Sequence, residues 1–191
     1  MTIKILSGTA RGTNLAVPIS DKTRPTSVML KRKIFDANQN IEELIFIDLC
    51  AGVGTVGLEA LSRGVEKLFL VEKNFQCLKI LNGNVRLVRE KSKETEVVVD
   101  KKDAVSWIEY RAAWLSRLDR GIIFFDPPYE NLELYRDVIN LLKKIKFPGQ
   151  IWTEACRQKT MHEDKFMEEF YKGKVYRQGT SYVVVGTLDK M

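Results

Sequence analysis

The residues that could do chemistry stand at two places in this chain of 191 residues, each directly after an apolar run. Residues 48–57 read DLCAGVGTVG, and residues 125–129 read FDPPY. A Ser-His-Asp or Cys-His system would have to use the single histidine, His162, which lies in a polar run with no nucleophile motif beside it. One histidine also excludes zinc sites built on two or more histidines. Chemistry here must therefore use carboxylates, backbone groups, aromatic rings or a cofactor.

The first place is a glycine-rich loop with two interpretations. Gly52, Gly54 and Gly57 match the pattern G-x-G-x-x-G. Glu72 follows Gly52 by 20 residues, as the ribose-binding acid does in a dinucleotide site. Asp48 argues against a dinucleotide, because an unpaired carboxylate opposes pyrophosphate binding at a helix N-terminus. The sulfonium and ammonium of S-adenosylmethionine would be stabilised there, by about 4 kcal/mol at a separation of about 4 Å and an effective dielectric constant of about 20. The loop therefore favours S-adenosylmethionine, with Glu72 bonded to its ribose.

A third carboxylate, Asp103, follows the apolar run 97–99. It could receive the adenine amino group or cap a helix that begins at Ala104, and the sequence leaves both interpretations open. With the neighbours of these acids and glycines included, the predicted cofactor-binding residues are Asp48, Ala51, Gly52, Gly54, Glu72, Lys73, Asp103, Ala104 and Asp126.

The second place, Asp126-Pro127-Pro128-Tyr129, suits methyl transfer to an amino nitrogen. Two prolines after a buried strand fix the backbone, so that the Asp126 carboxylate and the Pro127 carbonyl point into the cleft. An exocyclic amine is a poor nucleophile, and two acceptors could bind its N–H groups and aim its lone pair at the methyl carbon. Tyr129 would stack on the base, which is worth about 1–3 kcal/mol. Taken alone the segment would more often be a turn with a capping aspartate; beside the glycine loop we interpret Asp126, Pro127 and Tyr129 as catalytic.

The elements that must position these residues follow a regular pattern. Short apolar runs alternate with helix-like stretches, which is typical of βαβ units and of a parallel sheet covered on both faces. We expect strands near 44–47, 68–71, 97–99, 122–125 and 151–153, helices over 55–63, 75–89, 104–118 and 132–145, and a closing pair at 170–176 and 182–187. Residues 3–6 and 13–17 predict a hairpin, and a helix runs from an N-cap at Thr26 or Ser27 to about Asn38.

The charge is concentrated at the start of the chain. The chain has 31 Lys and Arg against 25 Asp and Glu, and residues 1–35 hold seven basic side chains against one acidic. The other residues carry 24 of each sign, so the whole excess of +6 lies in this basic arm. A localised basic arm suggests a polyanionic partner, although for so short a run, taken alone, a solvated charged face is the more common interpretation.

Composition limits the class of protein. With 45% hydrophobic and 29% charged residues the chain is globular, and no apolar run approaches the length of a membrane helix or a signal peptide. We expect a cytoplasmic protein with reduced thiols at its three cysteines. The predicted division is a basic appendage at 1–38, which docks RNA, and a main domain at 39–191.

These motifs resemble the class I S-adenosylmethionine-dependent methyltransferases with an (Asp/Asn)-Pro-Pro-Tyr motif. Four motifs stand in the order typical of the RsmD family, the bacterial 16S rRNA guanine-N2 methyltransferases: Arg11-Gly12 with Leu15 and Pro18, Arg24-Pro25-Thr26, residues 57–64 (GLEALSRG) and Asp126-Pro127-Pro128-Tyr129. The resemblance implies a Rossmann-like fold with a mostly parallel seven-stranded sheet, helices on both faces and an N-terminal β-hairpin. It also implies methyl transfer from S-adenosylmethionine to guanine N2 of 16S rRNA, free or in an assembled small subunit. We expect a monomer that uses neither metal nor membrane.

The expected RNA contacts lie in the basic arm, at Arg11, Arg24, Thr26, Lys31 and Arg32. One stretch departs from the family pattern, since residues 28–32 (VMLKR) lack the acids usual there. Other activities remain open on the motifs alone: methylation of adenine N6 in DNA or RNA, of a protein glutamine, or of pyrimidine C5 with Cys156 as the nucleophile. A nicotinamide dehydrogenase and an inactive RNA-binding module are the remaining alternatives.

Overall fold

Strands and helices alternate along most of the chain in the computed structural model, which describes residues 2–18, 27–92 and 95–188. The strands among these residues are β1 (Thr2–Lys4), β2 (Asn14–Ala16), β3 (Ile45–Leu49), β4 (Lys67–Val71), β5 (Glu96–Asp100), β6 (Gly121–Phe125), β7 (Gln150–Cys156), β8 (Gly173–Gln178) and β9 (Ser181–Thr187). The helices are α1 (Val28–Ala37), α2 (Gly57–Ser62), α3 (Phe75–Arg89), α4 (Ala104–Leu115), α5 (Leu132–Lys144) and α6 (Glu163–Glu169).

Seven strands form one sheet in the order β5-β4-β3-β6-β7-β9-β8, and β1 pairs with β2 in a separate hairpin. The first five strands of the sheet are parallel, whereas β9 is antiparallel to both β7 and β8. Because β3 pairs with both β4 and β6, the strand order reverses between β3 and β6. Ligands bind at such a reversal in open α/β sheets, beyond the carboxyl ends of the strands. The predicted Rossmann-like architecture is confirmed.

Alternate residues of each strand enter two cores on opposite faces of the sheet. Phe46 and Phe124 face one core, which the hairpin, α1, α2 and α3 cover. Ile47 and Phe125 face the other, which α4, α5 and α6 cover. The described part of the predicted N-terminal appendage therefore shares a core with the rest of the chain, through residues that include Ile5, Leu15, Leu30, Ile34 and Phe35.

The buried carboxylate of Glu59 on α2 fixes the hairpin to this core. It accepts the N–H groups of Leu6 at 2.8 Å and Ser7 at 3.1 Å, and the Nε of Arg63 at 3.0 Å. Glu59 has no exposed surface, and Leu6 and Ser7 lie beyond the paired residues of β1, so their N–H groups take no part in the strand pairing of the hairpin. The start of the chain is thus held at a defined place beside α2.

Lys31 on α1 contributes to the same network, which corrects the prediction that it binds RNA. Its ammonium lies 3.3 Å from the Glu59 carboxylate and donates to the carbonyl of Thr55 at 3.1 Å. The residue has no exposed surface, and burial lowers its pKa while Glu59 opposes the shift. A lysine in this position neutralises a buried acid and is not available to a phosphate.

The C-terminal part of the sheet departs from the sequence prediction in one respect. A strand expected from residue 170 begins only at Gly173, because the helix α6, which was not predicted, precedes it. Phe170 and Tyr171 follow that helix and are buried, with the Phe170 ring centroid 4.8 Å from that of Phe166. Their apolar character reflects aromatic packing at the end of a helix. The remaining predicted elements are present with boundaries shifted by a few residues.

The described residues contain no helix long and apolar enough to cross a membrane. Cys50, Cys77 and Cys156 are free thiols.

Gly8 should be the glycine of the hairpin that is least tolerant of a side chain. Gly8 and Gly12 both have positive φ, 79° and 82°. A Cβ on Gly8 would lie 1.7 Å from the carbonyl oxygen of Ser62, whereas nothing lies within 4 Å of a Cβ on Gly12. We expect Gly8→Ala to reduce the free energy of unfolding by about 2–4 kcal/mol and Gly12→Ala by about 1 kcal/mol. Urea unfolding measures both, and equal losses would contradict the contact with α2.

Candidate active site

A cavity of about 690 Å³ opens at the carboxyl ends of the parallel strands. Leu49 of β3 pairs with Phe125 of β6, so Cys50 and Asp126 leave the sheet side by side. The hairpin reaches the same cavity through Val17 and Pro18, which the sequence did not predict. The fold brings most predicted site residues into its wall: Asp48, Ala51, Gly52, Glu72, Lys73, Asp103, Ala104, Asp126, Pro127 and Tyr129.

The glycine loop turns sharply at the end of β3. Cys50 has a φ of 76°, which is uncommon for a residue with a side chain and is typical of functional sites. Its N–H and that of Ala51 both donate to the carbonyl of Val71, at 3.0 and 2.9 Å. Gly54, predicted to bind the cofactor, packs against α3, where a Cβ would lie 2.5 Å from Cδ1 of Leu81. The closeness of the helix accounts for the missing side chain; Gly54 is not among the residues that line the cavity, and its contact with the cofactor stays a prediction.

Asp48 lies beneath this loop with 2% of its surface exposed. Its Oδ2 accepts the N–H of Gly57, the first residue of α2, at 2.9 Å. Burial raises the pKa of Asp48 to about 7, the nearby charge of Glu72 adds to the shift, and the Gly57 hydrogen bond opposes it. Asp48 is thus paired, not unpaired as the sequence argument assumed, and it already accepts an N–H group at the helix N-terminus that would hold a pyrophosphate.

Glu72 is held by two backbone donors. Its Oε2 accepts from Gly52 at 2.8 Å and its Oε1 from Asn74 at 2.6 Å. The carboxylate therefore joins the glycine loop to the start of α3, and each oxygen can accept a second hydrogen bond from a ligand in the cavity. Contact with a ribose stays a prediction.

Asp103 caps α4, which was one of its two predicted roles. Its Oδ1 accepts the N–H of Ser106 at 2.9 Å, and this bond is the main reason why the pKa of Asp103 is lowered. The residue also lines the cavity, so capping leaves the contact with an adenine amino group available.

Tyr129 is anchored by groups that the sequence analysis missed. Its hydroxyl donates to Oε1 of Glu154 at 2.6 Å and lies 3.2 Å from Oγ of Ser181, while its carbonyl accepts the hydroxyl of Thr160 at 2.9 Å. Burial raises the pKa of Tyr129, with the charges of Asp126 and Glu154 acting in the same direction, so the phenol stays protonated. Glu154 is 1% exposed and was detectable as the one charged residue in the apolar run 151–155.

The predicted RNA-binding residues have different positions. Arg11, in the turn of the hairpin, and Arg32, on α1, are exposed, whereas Lys31 is buried against Glu59. Arg24 and Thr26 lie outside the described residues. Of the predicted set, the structure thus presents two arginines to solvent, and neither lines the cavity.

The residues that other reaction types would need do not lie in the described wall of the cavity. The described residues that line the cavity include no histidine, and His162 precedes α6. Cys156, the candidate nucleophile for a pyrimidine C5, is buried with 3% exposure. The described part of the chain contains no cluster of three or more His, Cys, Asp or Glu residues that could hold a metal ion.

Comparison with known proteins identifies relatives along most of the chain. The family model described as conserved hypothetical protein 95 matches residues 3–185. YlbH of Bacillus subtilis (strain 168), to which its name ascribes rRNA methyltransferase activity, is 32% identical over 164 residues, 84% of this chain and 86% of that protein. Ribosomal RNA small subunit methyltransferase D of Escherichia coli K12 is 31% identical over 152 residues, 74% of this chain and 67% of that protein. The structure of a hypothetical protein of Thermus thermophilus superposes with a TM-score of 0.75 at 26% identity, covering 97% of this chain and 99% of that one.

The buried Asp48 should make the free protein less stable as the pH rises. Its pKa is raised from about 3.9 in an unfolded chain to about 7 in the fold, so the stability it contributes is full below pH 4 and is lost as the pH rises to about 7. Asp48→Asn removes this titration. We expect the free energy of unfolding of the variant, relative to the original protein, to rise by about 2–4 kcal/mol between about pH 4 and about pH 8.

Urea unfolding across this pH range checks the expectation, with Asp137→Asn on the exposed side of α5 as the matched control. A pH-independent difference between the Asp48→Asn variant and the original protein would contradict a buried, titrating Asp48.

Proposed function

Since this chain belongs to the family described as conserved hypothetical protein 95, as a relative of ribosomal RNA small subunit methyltransferase D, we propose that it transfers a methyl group from S-adenosylmethionine to the exocyclic N2 of a guanine in 16S rRNA. The family membership confirms the resemblance seen in the motifs and supports rRNA methylation. The observation that carries the choice of an amino nitrogen is the cavity that Asp48, Glu72, Asp126 and Tyr129 share.

The cofactor is S-adenosylmethionine, and the acidic end of the cavity suits it. Asp48 and Glu72 face the end of the cavity formed by the glycine loop, where a sulfonium and an ammonium would be stabilised and a phosphate opposed. The volume of about 690 Å³ lies within the usual range for cofactor sites. Asp103, which follows β5, is placed for the adenine amino group.

Methyl transfer needs little acid–base chemistry from the protein. The Asp126 carboxylate and the Pro127 carbonyl accept the two N–H groups of the guanine amine and hold its lone pair toward the methyl carbon. Attack in line would then form the bond between nitrogen and the methyl carbon and break the one between that carbon and sulfur, and the amine proton would pass to Asp126 or to solvent. Proximity and orientation supply most of the rate. Tyr129, fixed through its hydroxyl by Glu154, gives the base a surface to stack on.

The substrate reaches this cavity from the hairpin side. Val17 and Pro18 of the hairpin line the cavity, and Arg11 and Arg32 are exposed on the hairpin and on α1, so phosphate contacts there would hold the RNA against the part of the chain that borders the site. The target guanine then leaves its stack to enter the cavity. We place this reaction in the cytoplasm, with 16S rRNA or the assembled small subunit as the substrate and a monomer as the active form.

Asp126→Ala should stop methyl transfer and leave cofactor binding nearly unchanged. The loss of the acceptor removes the orientation of the amine, which we expect to lower the rate by at least about 100-fold. The assay transfers labelled methyl groups from S-adenosylmethionine to unmodified small-subunit particles and identifies the nucleoside; calorimetry gives the cofactor affinity. N2-methylguanosine from the original protein supports the proposal. Full activity in the variant, or a methylated adenine, pyrimidine or protein glutamine, overturns it, and no cofactor binding indicates an inactive RNA-binding module.

Arg11 and Arg32 should control the salt dependence of RNA binding. Each phosphate contact releases a counterion, so Arg11→Ala and Arg32→Ala should each reduce the slope of log affinity against log salt by about 0.7–0.9. Lys144→Ala, an exposed charge on α5 on the opposite face of the sheet, is the control and should leave the slope unchanged. Filter binding to 16S rRNA between low and moderate salt measures the slopes, and equal slopes for all four proteins would exclude docking through the hairpin and α1.

A further inference from the structure

Two aromatic side chains stand exposed beside the cavity. Phe75, the first residue of α3, is 55% exposed, and Tyr110, on α4, is 74% exposed. They are the two most exposed large hydrophobic side chains in the described part of the chain. Exposed aromatic surface is unfavourable in water, and neither ring is needed in the core of the protein. Surface of this kind often marks a place where a ligand binds.

The two rings lie on helices that begin at the same end of the paired strands β4 and β5 and then pack on opposite faces of the sheet. Val71 pairs with Asp100, so the segments that lead to α3 and α4 leave the sheet at the same edge. Lys101 lies between them, with its ammonium 5.4 Å from the centroid of the Phe75 ring. We call this the Phe75–Tyr110 surface; it consists of Phe75, Lys79, Lys101, Lys102 and Tyr110.

Lysine ammonium groups lie close to both rings. Lys79 lies 4.6 Å from the centroid of Phe75, and Lys102 lies 4.0 Å from the centroid of Tyr110. Residues 73–79 and 101–110, all of which the structure describes, contain four exposed lysines and only two exposed acids, Asp103 and Glu109. The surface is therefore basic, although the chain beyond residue 35 has no net charge.

The surface adjoins the site and the hairpin. Lys102 and Asn74, the residue before Phe75, line the cavity. The helix that begins with Phe75 also packs on the hairpin, since Ile80 contacts the apolar group formed by Ile3, Val17 and Val53. A strand of nucleic acid could thus pass from the hairpin, over the cavity and onto the rings without leaving the protein.

We propose that the Phe75–Tyr110 surface binds a single-stranded RNA segment next to the target guanine, with bases stacked on the two rings and phosphates beside Lys79, Lys101 and Lys102. Neighbouring aromatic rings and cations suit unpaired nucleotides, because each nucleotide has a base that can stack on a ring and a phosphate whose charge a cation can neutralise. Lysine is depleted in the core of protein–protein interfaces, so a protein partner fits this surface less well. The inference deepens the proposed function and rests on it.

Phe75→Ala and Tyr110→Ala, each made in the full chain, test the surface. The probes are a fluorescein-labelled single-stranded RNA of about 12 nucleotides, a duplex of the same length and unmodified small-subunit particles. Each variant should bind the single strand about tenfold more weakly, from the loss of one stacked base. Cofactor affinity and binding of the duplex should change by less than about twofold, because neither ring lines the cavity.

Two controls isolate stacking from other effects. Leu87→Ala removes another exposed apolar side chain of α3, 42% exposed and about three turns from Phe75, and should bind the single strand like the original protein. Tyr110→Phe keeps the ring and should also bind normally. Lys101→Ala should reduce the salt dependence by about 0.7 of a log unit per log unit of salt.

The outcomes separate this inference from the proposed function. If the original protein methylates the particles but Phe75→Ala and Tyr110→Ala bind the single strand normally, the surface does not bind RNA and the proposed function stands. An equal loss in Leu87→Ala also overturns the surface. If the original protein neither binds nor methylates the RNA, the proposed function fails, and the inference fails with it.

Discussion

The parallel pairing of β3 with both β4 and β6 determines where everything else in the site lies. It places the carboxyl ends of three strands next to each other, so that residues 48–57, Glu72 and Asp126 meet although they are far apart in the sequence. At this edge a glycine-rich loop follows β3 and two prolines follow β6, so the chain turns away from the sheet after both strands. The cavity is the space left where the chain turns away on both sides.

Buried charges hold the parts around this space in place. Glu59 joins the hairpin, α1 and α2 through main-chain and side-chain donors. Lys31, one of these donors, also donates a hydrogen bond to the carbonyl of Thr55 in the glycine loop. On the other side, Glu154 fixes the Tyr129 hydroxyl from within β7. Removing Lys31 or Glu59 would take a charged partner from the other inside the protein, which costs stability. The part that would dock RNA and the part that would bind the cofactor are thus joined by a direct polar contact.

The sequence predicted what depends on local pattern. The alternation of apolar runs and helices, the G-x-G-x-x-G loop and the Asp-Pro-Pro-Tyr segment each lie within a few residues, and their positions in the sheet followed from the topology of βαβ units. Lys31 was misassigned because charge was counted along the chain; its spacing from Ile34 and Phe35 puts it on the apolar side of α1, and its partner Glu59 is 28 residues away. The contact of Glu154 with Tyr129 joins two distant parts of the chain, so the sequence did not reveal it. The Phe75–Tyr110 surface was missed because the charges beyond residue 35 sum to zero, which conceals a local excess of lysine.

The raised pKa of Asp48 has a consequence for the energetics of the cavity. With a pKa of about 7, this carboxyl is about half protonated in the free protein at neutral pH. A cationic cofactor beside it favours the ionised form, so each binding event expels a fraction of a proton into the solvent. The heat of binding then contains the enthalpy with which the buffer takes up that proton. The empty cavity therefore carries only about half of a negative charge at Asp48, and this position gains the rest when a positive charge arrives to pair with it.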